Sequence, residues 1–234
     1  GVAVVEDASH AIGGSYNGIR VGNCRYSAIT VFSFHPVKII TTAEGGMATT
    51  NDPMLSQRMI ELRSHGIIKD EARWERTAPG PWSYEQHALG FNYRLTDLQA
   101  ALGISQLERL DTVVAERQRL LEIYRQKLAA LPVSLLEIPP GVNSAVHLAV
   151  VRLHNTDPQH HRRVFEGLRA AGIGVQLHYS PVHLQPYYRR LGFSEGDFPE
   201  AEAYARNAIS LPLYPGLQDH EVERVVEALS SLLI

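Results

Sequence analysis

Three short apolar runs in the first fifty residues predict β-strands. They are Val2 to Val5, Ala28 to Phe34 and Gly46 to Thr50. The first run is continuous rather than alternating, which is typical of a strand buried on both faces in a parallel sheet. Asp7 follows the end of that run, and the carboxyl ends of such strands are where α/β proteins bind ligands.

Helix and loop signals follow the third run. A turn at Asn51 and Asp52 leads into a helix that has Pro53 at its first position. Beyond it, the stretch 67–86 is polar and contains Trp, Pro and Gly residues. This composition predicts an ordered surface loop rather than a linker.

A long amphipathic helix is predicted after this loop. Thr96 and Gln99 have the spacing of a capping box, and apolar residues recur at helical spacing from there to Leu131. Pro132 and the Pro-Pro-Gly turn at 139–141 then indicate a domain boundary. We therefore predict two domains, 1–131 and 132–234.

The second half of the chain alternates between strand and helix patterns. The pattern predicts strands at 145–153 and 175–179, and helices at 158–171, 201–209 and 221–233. The last helix carries its apolar residues on one face, so we expect it to pack on the small sheet. This half is expected to be a compact α+β domain.

Composition narrows the class of partner. The 234 residues are 44% hydrophobic, and 22 basic residues nearly balance 25 acidic ones, with no run of Lys or Arg. We therefore expect a globular protein that binds small molecules, and neither a nucleic acid nor a membrane. A single cysteine, Cys24, excludes an internal disulfide, and a cytoplasmic location is expected. Because the chain opens directly on an apolar run, we also expect it to begin inside a larger fold, truncated at its N-terminus.

Lys38 and Asp7 are the pair that carries chemistry. An amine that forms an imine and a carboxylate that holds a pyridinium are the two groups that pyridoxal phosphate chemistry requires. Ser33, five residues before Lys38, offers a hydroxyl donor for a phosphate. The spacing alone leaves other interpretations open, because a lysine after a strand is often a solvated charge and an aspartate there is often a turn residue.

Four segments together resemble the DegT/StrS family of nucleotide-sugar aminotransferases, which use pyridoxal 5'-phosphate and have fold type I. The segments are EDASHAIG at 6–13, SFHPVK at 33–38 with EGG at 44–46, GFNYRLTDLQAA at 90–101, and QLHYSPVH at 176–183. The resemblance implies an α/β fold in which the first domain is part of the large mixed sheet.

The resemblance also implies roles for individual residues. Lys38 would be the Schiff-base lysine and proton shuttle, Asp7 the pyridinium partner and Ser33 a phosphate ligand. His10 would lie beside the cofactor ring. Asn92 would reach the phosphate of the cofactor in the partner subunit, which implies a homodimer with a shared active site, although a turn residue is the alternative.

Further residues are candidates for binding the substrate. They are His35, Tyr93, Arg94, His178, Tyr179 and His183. An arginine before a helix is about as often a solvated charge, and without the resemblance the two histidines of the 176–183 segment are more often structural than catalytic. No third ligand is spaced near these histidines, so no metal site is expected.

The segment from 176 to 202 most resembles the subgroup that makes the 4-amino sugar precursor of pseudaminic acid. The implied reaction transfers an amino group, from an amino acid such as L-glutamate, to the C4 ketone of a UDP-linked 4-keto-6-deoxy-N-acetylhexosamine. Pyridoxamine phosphate would be the intermediate form of the cofactor.

Two alternatives remain: a sugar dehydratase that uses pyridoxamine phosphate, whose members carry His at the position of Lys38, and a non-catalytic binding protein or fragment on the same scaffold. The second follows from the absence of the phosphate-cradling turn that family members carry upstream.

Overall fold

The predicted apolar strands of the first half pair into a mixed sheet. The computed structural model describes residues 1–155 and 157–233, and its first five strands are β1 (Val5–Asp7), β2 (Ser15–Tyr16), β3 (Ile19–Arg20), β4 (Ile29–Ser33) and β5 (Gly46–Thr49). β1 runs parallel to β4, with Asp7 opposite Val31, and β5 runs antiparallel to β4. All three strand predictions are confirmed in position to within a few residues.

The predicted burial of the first run is wrong. Val2, Val4 and Val5 are 94%, 52% and 63% exposed. The strand order is β1-β4-β5, so β1 lies at an edge, and no other strand of the described residues pairs with its outer side. A continuous apolar run predicts a strand that is covered on both faces, whereas the valines of this run are exposed and β1 is paired only along its β4 edge.

A helix and a short hairpin follow the sheet. α1 (Pro53–Arg63) begins as predicted, with the Asp52 carboxylate accepting hydrogen bonds from the Met54 and Leu55 amides. The predicted loop contains β6 (Ile67–Ile68), a 3₁₀ turn at Glu71–Arg73, and β7 (Glu85–Gln86), which pairs antiparallel with β6. The stretch is therefore ordered, as expected, but it is a hairpin with a long connection.

The long amphipathic stretch forms two helices rather than one. α2 (Asp97–Glu108) starts at the predicted capping box, and α3 (Leu110–Leu128) follows after Arg109. Leu98 in α2 is 86% exposed, whereas Leu120 and Tyr124 in α3 are fully buried. The apolar spacing continues across the break, which is why the sequence predicted one helix.

The second half forms an antiparallel sheet covered by helices. Its elements are β8 (Val133–Leu135), β9 (Val142–Asn143), β10 (Ala149–Leu153), α4 (Pro158–Ala170), α5 (Pro186–Arg189), α6 (Pro199–Asn207), β11 (Ala208–Leu211) and α7 (Asp219–Leu232). β10 is the central strand between β11 and β8. Its residues are packed with the apolar faces of α3, α4 and α7 in one core cluster, so the predicted α+β character is confirmed.

Two predictions in this half are wrong. The run 175–179 is not a strand, because only Gln176 makes a bridge, to Ser210 of β11. The predicted helix 201–209 ends at Asn207, and Ala208 and Ile209 belong to β11. All four residues of β11 are buried, so pairing with β10 outweighs the helical spacing of the alanines before it.

The chain divides into two compact units, Gly1–Leu110 and Asp111–Ile234. The predicted boundary at 131/132 lies further along, because α3 buries its apolar face in the core of the second unit rather than connecting the two. Within the described residues, no helix has the length and apolar composition needed to cross a bilayer.

Candidate active site

Asp7 ends β1 with its carboxylate held by the next turn. The Ser9 hydroxyl and the Ser9 amide both donate to Asp7 Oδ1, at 2.6 and 3.0 Å. These two hydrogen bonds lower the pKa of Asp7, and the nearby positive charges of His10 and Lys38 lower it further. Asp7 is therefore an ionised carboxylate at neutral pH.

Lys38 ends a tight turn that follows β4. The Lys38 amide donates to the His35 carbonyl at 2.9 Å, with Pro36 at the second position of the turn, where its fixed φ is favourable. The Val37 amide donates to His35 Nδ1 at 3.3 Å. Lys38 is half-buried, while the His35 side chain is exposed and its ring serves the turn.

A small apolar cluster brings Asp7 and Lys38 into one region. Ala8, adjacent to Asp7, packs with Phe32, Phe34 and Ile40, which flank Lys38 along the chain. The Ala8 amide also donates to the Val31 carbonyl at 2.8 Å, which extends the parallel pairing of β1 and β4. Residues 31 positions apart in sequence are thereby held together at the carboxyl ends of two parallel strands.

Ser33 and His10 lie at the same ends of these strands. Ser33 is the last residue of β4, half-buried, and its hydroxyl accepts a hydrogen bond from the His35 amide at 3.4 Å. His10 is exposed in the turn after β1 and contributes positive charge to the surroundings of Asp7. The structure thus places Asp7, His10, Ser33, His35 and Lys38 in one region of the first unit.

Two glycines behind Lys38 are required by close packing. A Cβ at Gly45, whose φ is +156°, would lie 2.3 Å from Thr42 Oγ1, and a Cβ at Gly46 would lie 2.7 Å from the Phe32 carbonyl oxygen. The Gly45 carbonyl accepts the Phe34 amide at 2.8 Å. The Glu-Gly-Gly sequence therefore lets the returning chain close tightly against β4.

Asn92, Tyr93 and Arg94 lie in a different part of the first unit. Asn92 is exposed and bridges to Ser64, while Tyr93 stacks on Phe91 with ring centroids 4.6 Å apart. Tyr93 and Arg94 line an open cleft of about 970 Å³ with Arg63, strands β4 and β5, and α1. Asp7 and Lys38 are not among the described residues that line this cleft.

The three candidates of the second unit differ in exposure. His178 is half-buried, with Nδ1 2.8 Å from the Ser210 hydroxyl, and its ring contacts Tyr179 edge-to-face. Tyr179 is 62% exposed. His183 is 7% exposed, and its Nε2 lies 2.9 Å from Glu202 Oε1, which also accepts the Gly196 amide. His183 therefore fixes the 3₁₀ turn Val182–Leu184 to α6.

Sequence reasoning missed the partners of these candidates. Ser9 had a local signal, since a serine two residues after an aspartate commonly donates to its carboxylate. Glu202 and Ser210 had none, because they lie 19 and 32 residues from the histidines that they contact. In the part of the chain that the structure describes, no three His, Cys, Asp or Glu side chains are grouped as metal ligands.

Comparison with known proteins places this geometry in a family. Residues 1–230 match the DegT/DnrJ/EryC1/StrS aminotransferase family. The uncharacterized protein MJ1066 of Methanocaldococcus jannaschii is 37% identical over 98% of this chain and 60% of its own length. The spore coat polysaccharide biosynthesis protein SpsC of Bacillus subtilis is 36% identical over the whole chain and 60% of its own length. The chain thus spans about 60% of the length of these curated relatives.

Solved structures agree with the family match. The putative sugar aminotransferase Spr1654 of Streptococcus pneumoniae, in its PMP form, superposes with a TM-score of 0.90 at 31% identity, over 99% of this chain and 57% of that one. PseC of Helicobacter pylori, an aminotransferase involved in the biosynthesis of pseudoaminic acid, gives 0.89 at 30% identity, over 99% and 60%. The predicted fold type I is confirmed by these likenesses, and the chain belongs to the DegT/DnrJ/EryC1/StrS aminotransferase family.

Proposed function

We propose that this chain carries the lysine half of the active site of a pyridoxal-phosphate-dependent sugar aminotransferase. The observation that carries the proposal is the juxtaposition of an ionised carboxylate, Asp7, with an amine, Lys38, at the ends of two parallel strands. The membership of the chain in an aminotransferase family supports it, as do the PLP and PMP forms in which Spr1654 was solved.

The residues fit the cofactor. Both Ser9 hydrogen bonds go to Asp7 Oδ1, and Oδ2 would accept a hydrogen bond from the protonated nitrogen of a pyridinium ring. The lowered pKa of Asp7 keeps this carboxylate charged, and a charged carboxylate holds a proton on that nitrogen. Bound pyridoxal phosphate would supply the electron sink that the amino-group transfer needs.

Lys38 and Ser33 then have separate tasks. With the cofactor bound, Lys38 Nζ would anchor it and, once displaced by the incoming amino donor, would take the proton from the α-carbon of that donor and return a proton later in the cycle. The turn closed at His35 limits where that amine can move. Ser33 Oγ would donate to the cofactor phosphate, and His10 would lie beside the ring.

Substrate and assembly belong to the same proposal. SpsC is named for polysaccharide biosynthesis and PseC for pseudoaminic acid, which supports a sugar as the acceptor. We assign the C4 ketone of a UDP-linked 4-keto-6-deoxy-N-acetylhexosamine, with L-glutamate as donor. Asp7 and Lys38 are not among the described residues of the cleft that Tyr93 and Arg94 line. We therefore assign Arg94, and Asn92 two residues before it, to the site of a second copy in a homodimer. His178 and Tyr179 are assigned to the sugar.

Borohydride reduction tests the lysine assignment. The protein, incubated with pyridoxal phosphate, is expected to absorb near the edge of the visible range, and reduction should remove that band and leave the label on Lys38. Lys38→Ala should abolish the label, whereas the control Lys69→Ala, in the surface connection after β6, should keep it. A label on another lysine, or none, contradicts the proposal.

The acceptor is tested by an assay with candidate UDP-4-ketosugars and glutamate. The expected product carries an amine at C4, detected by mass, together with 2-oxoglutarate. If pyridoxal phosphate is bound at Lys38 and no nucleotide ketosugar is aminated, the acceptor belongs to another class.

A further inference from the structure

The connection between β6 and β7 forms a pocket of its own. It has a volume of about 350 Å³ and is lined by residues 74, 76–79 and 82–85, all within the first unit. The two tryptophans of the chain, Trp74 and Trp82, both line it, together with Tyr84. None of the residues that we assign to the cofactor lies in this segment.

Aromatic surface is displayed at this pocket instead of being buried. Trp82 is 75% exposed and Tyr84 is 59% exposed. The Trp82 ring lies over Gly80, where an added Cβ would be 2.5 Å from the ring, so a larger residue would displace the indole. Exposed, positioned aromatic rings are the usual surface on which flat heterocycles stack.

The frame around the rings is already held by hydrogen bonds. The buried Glu85 carboxylate accepts the amides of Glu75 and Arg76, at 2.8 and 3.0 Å, and contacts His87 Nε2 at 2.7 Å. Together with an ion pair to the Arg76 side chain, these contacts lower the pKa of Glu85 to about 2, so the carboxylate stays charged at neutral pH. Trp74 Nε1 donates to the Ile68 carbonyl at 3.0 Å. A pocket fixed in this way pays little ordering entropy when it binds.

One polar atom in the wall lacks a partner. The Ser83 hydroxyl oxygen is buried and makes no hydrogen bond with the described residues. An unmade hydrogen bond at a buried hydroxyl is costly, and a ligand that offers a polar atom there removes the cost. Arg76 at the rim is 81% exposed along its side chain, and its Nε is 3.4 Å from Glu85 Oε1, so its outer face is open to an anion.

We propose that this pocket binds the base and ribose of a pyrimidine nucleotide, with the base stacked on Trp82, a polar base atom hydrogen-bonded to the Ser83 hydroxyl, and the diphosphate beside Arg76. The inference rests on the proposed function, since a UDP-linked sugar would present all three groups. Volume favours a nucleoside-sized group over a whole nucleotide sugar, so the sugar would extend out of the pocket.

Tryptophan fluorescence measures this binding directly. In a Trp74→Phe variant Trp82 is the sole tryptophan, and titration with UDP is expected to quench it saturably. Replacement of the stacking ring, Trp82→Leu, should weaken UDP binding in calorimetry by roughly tenfold. Ser83→Ala should weaken UDP and uridine alike, whereas Arg76→Ala should weaken UDP but not uridine, because uridine has no phosphate.

The control is Tyr16→Leu, which removes a half-exposed aromatic ring from the β2–β3 hairpin and should leave UDP binding unchanged. Thermal unfolding of each variant verifies that the fold is kept. Equal UDP affinity in Trp82→Leu and the parent overturns the inference, as does quenching by phosphate alone. UDP binding is measured in the absence of an amino donor, and amino transfer is measured in a separate assay with donor present. Saturable UDP binding without amino transfer in the second assay overturns the proposed function and leaves this site standing. If amino transfer occurs and Trp82→Leu does not change the KM for the UDP-sugar, the proposed function stands and this site is overturned.

Discussion

Ser9 lowers the pKa of the carboxylate that we assign to the cofactor. Its two hydrogen bonds to Asp7 are the largest of the contacts that lower the pKa of that group. Because the folded-state pKa is lowered, the contacts stabilise the fold at pH values above the ordinary pKa. They are lost as the pH falls through the folded value.

We therefore expect Ser9→Ala to raise the pKa of Asp7 toward its ordinary value. The hydroxyl contact is lost, although the backbone amide of residue 9 still donates. The measurement is an NMR titration of the Asp7 carboxyl carbon. Ser27→Ala, which removes a hydroxyl contact to Glu6 instead, is the matched control and should leave the Asp7 titration in place.

Arg117 is a buried cation whose partners are carbonyl groups. Its Nη1 donates to the carbonyls of Val146, His147 and Leu213, at 3.0 to 3.3 Å, and burial lowers its pKa. Arg117→Met leaves these carbonyls without their donor and should destabilise the second unit by about 2–4 kcal/mol in denaturant unfolding.

Arg119→Met is the matched control for Arg117. Arg119 lies on the same helix but is exposed, and it pairs with Glu116 and Asp219. Its loss should have a much smaller effect, because surface ion pairs contribute little to stability. Equal destabilisation by both substitutions would show that the buried carbonyl contacts are not what Arg117 provides.

At the level of single residues, the sequence indicated candidate groups but not their partners. Lys38 and Asp7 each follow an apolar run, and the resemblance of the surrounding segments to a family, more than their spacing, made them candidates. The contact of His183 with Glu202 was not predictable, because it depends on how α6 packs and no local pattern encodes that. The sequence also does not show which of these side chains are exposed: His183 is buried, whereas Tyr179 is exposed.

At the level of secondary-structure elements, the capping box of α2 stabilises the start of that helix. Thr96 Oγ1 accepts the Gln99 amide, and Gln99 Oε1 accepts the Thr96 amide at 3.0 Å, while Gln99 Nε2 donates to the Glu44 carbonyl at 2.9 Å. This cap therefore also ties α2 to the segment behind Lys38. Thr96→Ala should cost about 1 kcal/mol and speed hydrogen exchange in the first turn of α2.

Ser105→Ala is the control for that substitution. Ser105 is exposed in the same helix, and its replacement should leave the first-turn amides as protected as before. If both variants exchange alike, the cap does not determine the stability of this end of α2.

Element prediction succeeded where local chemistry was explicit. Asp52 with Pro53, and Thr96 with Gln99, gave two helix starts to the residue. It failed where tertiary pairing decides, as at Ala208, where a strand partner ends α6. The β2–β3 hairpin turns at Asn17 and Gly18, both at positive φ, and an Asn-Gly pair is a strong local signal for such a turn.

The two units have cores of very different size. In the first unit, the described core cluster consists of Ala8, Phe32, Phe34 and Ile40, whereas that of the second joins α3, α4 and α7 to alternate residues of β10. Protection against exchange follows the buried apolar contacts of a region. Hydrogen exchange should therefore be slowest in β10 and β11 and faster in β1 and β5, and the reverse order would contradict this account.

Shared sites can be tested in mixed dimers. Neither Lys38→Ala nor Asn92→Ala homodimers should transfer amino groups, whereas a mixture of the two should regain about a quarter of the parent activity. A random mixture is half heterodimer, and one of the two sites in each heterodimer keeps both residues. A mixture without activity would place Asn92 and Lys38 in the same subunit's site.

At the scale of the whole molecule, the four motifs are enough to indicate the family, since they lie in order along nearly the whole chain. They did not fix where the units divide. The apolar face of α3 reads as one stripe continuous with α2, and only packing against β10 assigns it to the second unit.

The cluster of Ala8, Phe34 and Ile40 has a practical consequence for Lys38 and Asp7. Their spacing is maintained by strand pairing and apolar contacts, neither of which weakens with ionic strength or changes with protonation near neutrality. Asp7 and Lys38 should therefore keep their relative positions at high ionic strength as well as in dilute buffer. To change the distance between the two groups without changing their charges, substitutions should alter the side-chain volume at Ala8, Phe34 or Ile40.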